Sequence, residues 1–169
     1  MLPPINFKKW IDNNRHLLKP PVGNKVVYED TEFIIMVVGG PNARKDYHYN
    51  EGEEFFYQLE GNITLPIIID GKKKVIEINE GDIYLLPPRI PHSPQRGPDT
   101  IGLVIERKRK DHESDACMWF CEKCNHELHK AEFKLDNIET QLKLLLNNFY
   151  SDDKLCTCSQ CGTKMNAPL

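Results

Sequence analysis

The chain has 169 residues, of which 40% are hydrophobic and 28% are charged, so it contains enough apolar side chains for one folded domain with a small appendage. Its 22 lysines and arginines are outnumbered by 25 aspartates and glutamates. The resulting net charge of −3 argues against nucleic acid as a partner, since nucleic-acid-binding domains carry a basic excess. No apolar run approaches the roughly 20 residues that cross a bilayer. Residues 1–10 lack the long apolar segment of a signal peptide, so we expect a cytoplasmic protein without a membrane anchor.

A short helix is the first predicted element. Asn6 can cap it, and Ile5 and Trp10 are spaced as a hydrophobic staple. Lys19-Pro20-Pro21 ends any helix, because proline lacks an N–H. Short runs rich in β-branched and aromatic residues then predict strands at residues 26–28, 33–38, 54–59, 63–69, 75–78, 83–86 and 101–105. Turn signals such as Asp70-Gly71 separate these runs and no helical pattern intervenes, which predicts an antiparallel sandwich or barrel.

Three further features complete the predicted layout. Pro66, inside the fourth run, predicts an edge strand or a bulge there, because proline cannot donate to a neighbouring strand. The charged run at residues 107–111 predicts a solvated connection that leaves the barrel. Beyond it, a stripe of apolar residues at helical spacing predicts a helix packed against a core: Ile138, Leu142, Leu145, Leu146 and Phe149.

His48, Glu54 and His92 are candidate metal ligands. Two imidazoles and one carboxylate occupy one face of an octahedron around a ferrous ion and leave the other positions for substrate and oxygen. Taken alone, a histidine with a glutamate six residues later is weak evidence. Most lone histidines are ordinary surface or core residues, so the assignment of a metal site depends on the residues around these three.

Two segments around these residues resemble the paired motifs of the cupins. The first spans residues 40–61 and includes the first histidine and the glutamate; the second is Gly81-Asp82-Ile83-Tyr84-Leu85-Leu86-Pro87, followed by Pro91-His92. The resemblance implies a mainly β fold, the cupin double-stranded β-helix or jelly-roll barrel. Many cupins carry a second histidine where this chain has Asn50. The usual four ligands are thereby reduced to three, which opens a coordination position.

Two arginines flank the candidate metal site in sequence. Arg44 lies four residues before the first histidine and Arg96 four residues after the second, so a shared metal brings both to one pocket. Guanidinium groups are permanently charged and grip carboxylates with two hydrogen bonds, which points to an anionic small molecule. The alternative is two ordinary surface cations. Glu106 either begins the charged surface run or faces inward toward an amino or hydroxyl group of the ligand, and the strand pattern does not decide between these.

Several segments closely resemble the 3-hydroxyanthranilate 3,4-dioxygenase family. They are residues 37–48, Tyr84-Leu85-Leu86-Pro87, Pro91-His92-Ser93-Pro94-Gln95-Arg96, Val104-Ile105-Glu106-Arg107 and the opening Leu18-Lys19-Pro20-Pro21-Val22. The resemblance covers nearly the whole chain, including the cysteine tail. It implies catalytic Fe(II) held by His48, Glu54 and His92. It also implies a substrate held by Arg44, Arg96 and Glu106, with Asn24 and Asp46 as further pocket residues.

The same resemblance implies the reaction. A dioxygenase of this family uses O₂ to open the ring of 3-hydroxyanthranilate between the carbon that bears the hydroxyl and its neighbour that bears hydrogen. The product is 2-amino-3-carboxymuconate semialdehyde, which closes to quinolinate, a precursor of NAD in the kynurenine route. A homodimer is implied by the resemblance alone.

All six cysteines lie after residue 116. Four of them form two pairs, Cys121-Glu122-Lys123-Cys124 and Cys158-Ser159-Gln160-Cys161, with 33 residues between the pairs. Two such pairs supply four thiolates to one tetrahedral zinc or iron ion. The competing interpretations, a redox motif or disulfides, need a βαβ unit or an oxidising compartment. The predicted site is closed to other ligands and holds the tail together, and the family resemblance implies a rubredoxin-like, non-catalytic centre.

We therefore predict a catalytic cupin domain at residues 1–110 and a C-terminal extension with the cysteine site at residues 111–169. Two other functions stay open. A different small-molecule cupin enzyme would share the three ligands and differ at Arg44, Arg96 or Glu106. A binding module would use the cysteine pairs as a zinc ribbon on protein or nucleic acid. The acidic balance counts against nucleic acid, and a scaffold has no need of the reduced ligand set at Asn50.

Overall fold

The computed structural model of the chain describes residues 3–19, 23–42, 44–135 and 138–168. The predicted N-terminal helix is α1, Phe7–Asn14, continued by a 3-10 turn at Arg15–Leu17. Asn6 caps it as expected, because its side-chain oxygen accepts a hydrogen bond of 2.9 Å from the Lys9 N–H. The predicted stop at Pro20-Pro21 lies outside the described residues.

Strands make up most of the rest of the described chain. They are β1 (Asn24–Val26), β2 (Phe33–Gly39), β3 (Tyr47–Tyr49), β4 (Glu54–Glu60), β5 (Ile63–Ile69), β6 (Lys72–Ile78), β7 (Ile83–Leu86), β8 (Gln95–Arg96), β9 (Ile101–Arg107), β10 (Asp115–Phe120) and β11 (Glu127–Phe133). Two helices close the chain: α2 (Ile138–Ser151) and α3 (Asp153–Cys156).

The strands form two antiparallel layers. One layer is a five-stranded sheet with the order β1-β2-β9-β4-β7. The other combines β11-β10-β3 with β6-β5-β8, which meet at His92, because the His92 backbone bridges both to His48 in β3 and to Ile67 in β5. Alternate residues of each strand face inward. The buried core of the barrel consists of Met36, Phe56, Ile63, Leu65, Ile67, Ile78, Leu86 and Val104.

The C-terminal tail adds a second core on the outside of the barrel. Trp119 of β10 is fully buried and stacks on Phe149 of α2, with ring centroids 4.3 Å apart. The predicted apolar stripe of α2 packs into this core through Leu142, Leu145 and Leu146, while the side chain of Ile138 lies outside the described residues. β10 is therefore covered on both faces, by the barrel on one and by the tail on the other.

The predicted mainly β, antiparallel architecture is confirmed. The hairpin at Asp70-Gly71 has positive φ at both residues, 50° and 70°, as its turn type requires. The expectation of an edge or bulge at Pro66 is wrong, since β5 lies between β6 and β8. The Ser93 N–H donates a hydrogen bond to the Pro66 carbonyl. Proline has no N–H to donate in return, so the Ser93 carbonyl accepts a hydrogen bond of 3.1 Å from Gln95 Nε2 instead. No helix in the described ranges is long and apolar enough to cross a membrane.

Candidate functional site

The two histidines and the glutamate predicted as metal ligands come together inside the barrel. His48 lies in β3, Glu54 begins β4, and His92 precedes β8; one donor atom from each lies within 4.8 Å of the others. The backbones of His48 and His92 hydrogen-bond to each other in both directions, at 2.8 and 2.9 Å. His92 Nε2 is 3.0 Å from Glu54 Oε2, and the three side chains are at most 13% exposed. The spacing of the two rings is thus fixed by the sheet itself.

Each histidine has one ring nitrogen occupied by the protein. His48 Nε2 donates to Asp115 Oδ2 at 2.7 Å, and His92 Nδ1 donates to the Ile90 carbonyl at 2.9 Å. The second nitrogen of His92, Nε2, faces the Glu54 carboxylate. Burial lowers the pKa of His48. Burial also disfavours the charged form of His92, but the Glu54 carboxylate outweighs it and raises the pKa of His92. Burial opposes ionisation of Glu54 in turn, but the adjacent His92 lowers the pKa of that carboxyl to about 2. Neutral imidazoles and an ionised carboxylate are the forms that bind a metal ion.

The donor set fits a transition metal with open coordination positions. Two imidazoles and one carboxylate are the ligands of non-haem ferrous sites, and none of the three is saturated by other described groups. Asn50 stands beside them, buried, where its Nδ2 donates to Glu54 Oε2 at 3.3 Å and to Glu106 Oε2 at 3.2 Å. The amide therefore holds two carboxylates in place instead of adding a fourth ligand.

Arg96 is a buried cation without an anionic partner in the described part of the chain. It is 4% exposed; its guanidinium donates to Gln58 Oε1 at 3.2 Å, and its Nε has no hydrogen-bond partner. Burial, with a smaller contribution from the charge of Arg44, lowers the pKa of Arg96 to about 10. Gly102 makes room for it, since a Cβ there would meet the Arg96 guanidinium at 2.8 Å. A buried, under-bonded guanidinium of this kind fits a ligand carboxylate.

Arg44 and Glu106, the other two predicted substrate residues, line two different cavities. Arg44 forms an ion pair with the fully buried Asp46 and is a quarter exposed. Glu106 faces inward, 3% exposed, so it does not begin the surface run. Burial raises the pKa of Glu106 to about 7. A cavity of about 560 Å³ opens beside it and is also lined by Asn24 and Arg109.

The four predicted tail cysteines form one cluster, with their sulfurs within 4.8 Å of one another. The two turns that carry them have the same hydrogen bonds. The Cys121 carbonyl accepts from the N–H of Asn125, and the Cys158 carbonyl from the N–H of Gly162, both at 2.9 Å. Asn125 and Gly162 occupy the same place in the turn and both have positive φ, 61° and 70°. The arrangement is that of a tetrahedral thiolate site.

The two remaining cysteines lie outside that cluster. Cys156 is buried in the tail core, where its Sγ donates to the Phe149 carbonyl at 3.0 Å, so Cys158 is the sulfur that faces the other three. Burial raises the pKa of Cys117 to about 12, which keeps that thiol protonated and inert.

Comparison with known proteins decides the family. The profile described as 3-hydroxyanthranilic acid dioxygenase matches residues 1–150. The chain belongs to the 3-hydroxyanthranilic acid dioxygenase family. The 3-hydroxyanthranilate 3,4-dioxygenase of Xanthomonas campestris pathovar campestris is 54% identical to it over 168 residues, which cover 99% of this chain and 95% of that protein. The enzyme of the same name from Bacillus thuringiensis is 47% identical, over 94% of this chain and 89% of that protein.

Solved structures resemble this member of the dioxygenase family in fold. A crystal structure from Neisseria meningitidis, 15% identical, superposes with a TM-score of 0.51 over 63% of this chain and 100% of that one. A cupin-2 domain containing protein from Shewanella frigidimarina is 20% identical, with a TM-score of 0.47 over 62% of this chain and 94% of that one. The likeness to the Neisseria meningitidis structure supports the predicted mainly β barrel.

Two buried residues of this dioxygenase-family site escaped the sequence analysis. Arg109 was placed in a solvated charged run, which is wrong for this residue: it is only 10% exposed and pairs with Glu106 at 2.8 Å and with Asp115 at 2.6 Å. Asp115 is fully buried at the start of β10. The sequence holds one signal for them, since they are an arginine and an aspartate only six residues apart, on the connection that joins β9 to β10.

Proposed function

We propose that this chain is a ferrous dioxygenase that opens the ring of 3-hydroxyanthranilate with O₂, giving 2-amino-3-carboxymuconate semialdehyde. The observation on which the proposal rests is the buried Arg96, which lacks an anionic hydrogen-bond partner in the described chain and lies within electrostatic range of Glu54, the carboxylate of the two-histidine, one-carboxylate ligand set. A substrate that combines a carboxylate with a metal-chelating edge fits both features. The names of the 54% and 47% identical relatives support the same substrate.

Fe(II) is the proposed catalytic metal, held by His48, Glu54 and His92. The donor set is that of non-haem ferrous oxygenases. When bound there, iron supplies the chelation of the substrate's hydroxyl and amino groups and the site at which O₂ reacts. With three protein ligands, an ion held there would keep coordination positions for the substrate and O₂.

The protein's own groups orient the substrate. Arg96 binds the substrate carboxylate and thereby gains the anion that its guanidinium lacks, and Arg44 faces the same carboxylate from its pair with Asp46. Glu106 accepts a hydrogen bond from the amino or hydroxyl edge. A carboxyl whose pKa is about 7 can take up the hydroxyl proton on its Oε atom near neutral pH, which increases the electron density of the ring. Both atoms of O₂ enter the product, so no external reductant is needed.

The decisive experiment is anaerobic reconstitution with Fe(II), followed by oxygen uptake and ultraviolet absorbance when 3-hydroxyanthranilate is added. We expect one O₂ consumed per substrate and a new semialdehyde absorbance. Anthranilate, which lacks the hydroxyl, and 3-hydroxybenzoate, which lacks the amino group, serve as matched controls and should not react. Iron bound at the histidine site without oxygen uptake would refute this substrate and favour the second candidate, a cupin enzyme for another aromatic acid.

We propose iron or zinc for the cysteine cluster, in a structural role. Four thiolates at tetrahedral spacing complete the coordination of either ion and leave no position for substrate. Metal analysis of the purified protein decides between the two ions.

A homodimer is proposed through the outer face of the five-stranded sheet. Ile83 is 67% exposed, Leu85 52% and Phe33 49%. Leu85 lies beside Phe55, and Phe55 beside Ile105, across neighbouring strands on this face. Such a contiguous apolar surface favours a protein partner. Sedimentation equilibrium should give twice the chain mass for the native protein and the single mass for Leu85→Glu.

A cytoplasmic location is proposed as well. None of the six cysteines takes part in a disulfide, and four of them are placed to bind a metal ion, which suits a reducing compartment. The predicted division between residues 1–110 and 111–169 stays a prediction. β10 lies beyond that boundary and pairs with β3 of the barrel.

A further inference from the structure

Three buried side chains form a continuous bridge behind the candidate metal site. Arg109 contacts Glu106 Oε2 through Nη1 at 2.8 Å, Asp115 Oδ1 through Nε at 2.6 Å, and Asp115 Oδ2 through Nη2 at 2.6 Å. We refer to Glu106, Arg109 and Asp115 as the Arg109 bridge. Their side chains are 2%, 10% and 0% exposed. One guanidinium thus pairs with two buried carboxylates, and Glu106 at one end also lines the cavity beside the site.

The two ends of the Arg109 bridge reach the two halves of the site. At one end, Asp115 Oδ2 accepts the hydrogen bond from His48 Nε2 at 2.7 Å. At the other end, Glu106 shares the Asn50 amide with the carboxylate of Glu54. One end therefore fixes a metal ligand, and the other fixes the group assigned to the substrate's amino and hydroxyl edge.

We propose that Asp115 and Arg109 are positioning residues that together set the orientation of His48 and of Glu106. The part that concerns Glu106 rests on the proposed function. A carboxylate that accepts from a metal-binding histidine fixes its tautomer and ring plane. Only a planar guanidinium with several donors can hold Asp115 with two bonds and Glu106 with a third. Metal and substrate are in this way aligned by one rigid unit.

The same connecting segment supplies a matched control. Arg107 grips Glu113 with two hydrogen bonds of 2.6 Å each, as Arg109 grips Asp115. Glu113 is also buried, at 7% exposed, and it touches neither His48 nor Glu106. Glu113→Gln removes a comparable pair from the same loop and leaves the site alone, so it measures the purely structural contribution.

The experiment compares Asp115→Asn with Glu113→Gln in three measurements: Fe(II) affinity, the electron paramagnetic resonance spectrum of the nitric oxide adduct, and anaerobic 3-hydroxyanthranilate affinity. Nitric oxide binds only iron with an open position, so the closed cysteine site does not contribute. We expect Asp115→Asn to weaken Fe(II) binding about 10- to 100-fold and to change the spectrum. Glu113→Gln should leave both as in the native protein while lowering the unfolding temperature.

Equal spectra and Fe(II) affinities in the two variants overturn the proposal, since Asp115 then acts only on stability. A changed spectrum in Asp115→Asn, in a protein that binds no 3-hydroxyanthranilate even in native form, refutes the proposed substrate and leaves the positioning of His48 supported. If Asp115→Asn does not fold, Arg109→Lys replaces it. Lysine cannot span both carboxylates, so substrate affinity should fall at least tenfold with iron retained; unchanged affinity overturns the proposal.

Discussion

Replacing Arg96 with methionine should stabilise the metal-free, substrate-free protein and weaken substrate binding at the same time. Burial lowers the pKa of Arg96 from 12.5 to about 10, which corresponds to about 3 kcal/mol by which the folded protein disfavours the charged guanidinium. Methionine keeps an unbranched stem and loses only the hydrogen bond to Gln58. We therefore expect a net gain of about 1–2 kcal/mol in the free energy of unfolding.

The opposite effect is expected on the substrate complex. Truncating one member of a buried charge pair costs about 2–5 kcal/mol, so the affinity for 3-hydroxyanthranilate should fall by at least about thirtyfold. Urea unfolding of the metal-free protein measures the first effect, and anaerobic titration of the ferrous protein measures the second. Arg89→Met is the control, because Arg89 is 70% exposed and pairs with Glu51 at the surface, and it should change neither quantity by more than about 0.5 kcal/mol.

Destabilisation of the metal-free protein by Arg96→Met would refute the expected gain in stability, since Arg96 would then have a partner that offsets its burial. Unchanged substrate affinity in a folded, iron-loaded variant would refute the second effect, because the guanidinium would not face the substrate carboxylate. A loss of iron from the variant would indicate that Arg96 supports metal binding and not substrate binding.

Three other perturbations give separate outcomes. Gly102→Ala should displace the Arg96 guanidinium by about 0.6 Å, from 2.8 Å to ordinary contact distance, and should raise KM with the iron content retained; an unchanged KM would place the guanidinium elsewhere. Cys121→Ser should lower the unfolding temperature more than the turnover per folded, iron-loaded molecule, and a well-folded but inactive variant would contradict the structural role of the cysteine cluster. Glu106→Gln should flatten the pH dependence of stability of the metal-free protein. With a folded pKa of about 7 against 4.5 unfolded, the native carboxyl binds more protons in between, so native stability falls as pH rises from 4.5 to 7; an equal slope in the variant would exclude Glu106 as its source.

Most of the barrel was predictable because its strands alternate or run apolar between clear turns. β10 was not. It reads Asp-Ala-Cys-Met-Trp-Phe and is buried along its whole length, since the barrel covers one face and the tail core the other. A strand with both faces covered has no period of two to detect. β3 and β8 were missed because runs of three and two residues carry too little pattern.

The candidate site divides along similar lines. Motif spacing pointed to His48, Glu54 and His92, and the fold brings these three together. Motif spacing did not point to Arg109, because a charged run has the same composition whether its side chains face water or turn inward. Only the position of a partner decides this, and Asp115 reaches Arg109 by way of a strand that the sequence did not reveal. The two residues are only six apart in sequence, but the strand pairing that turns them inward joins β10 to β3, much earlier in the chain, and local pattern does not show that pairing.

The reciprocal backbone hydrogen bonds between His48 and His92 have a consequence for how each metal is exchanged. Their amides are locked by strand pairing that does not involve the ion, so both should exchange with deuterium only when the barrel unfolds, whether the site is loaded or stripped. The catalytic ion can then be removed and replaced while the barrel around its ligands stays folded. The two cysteine turns, 33 residues apart in sequence, share no backbone hydrogen bond in the described chain, so a metal ion bound by the four proposed thiolates would help to fold the tail.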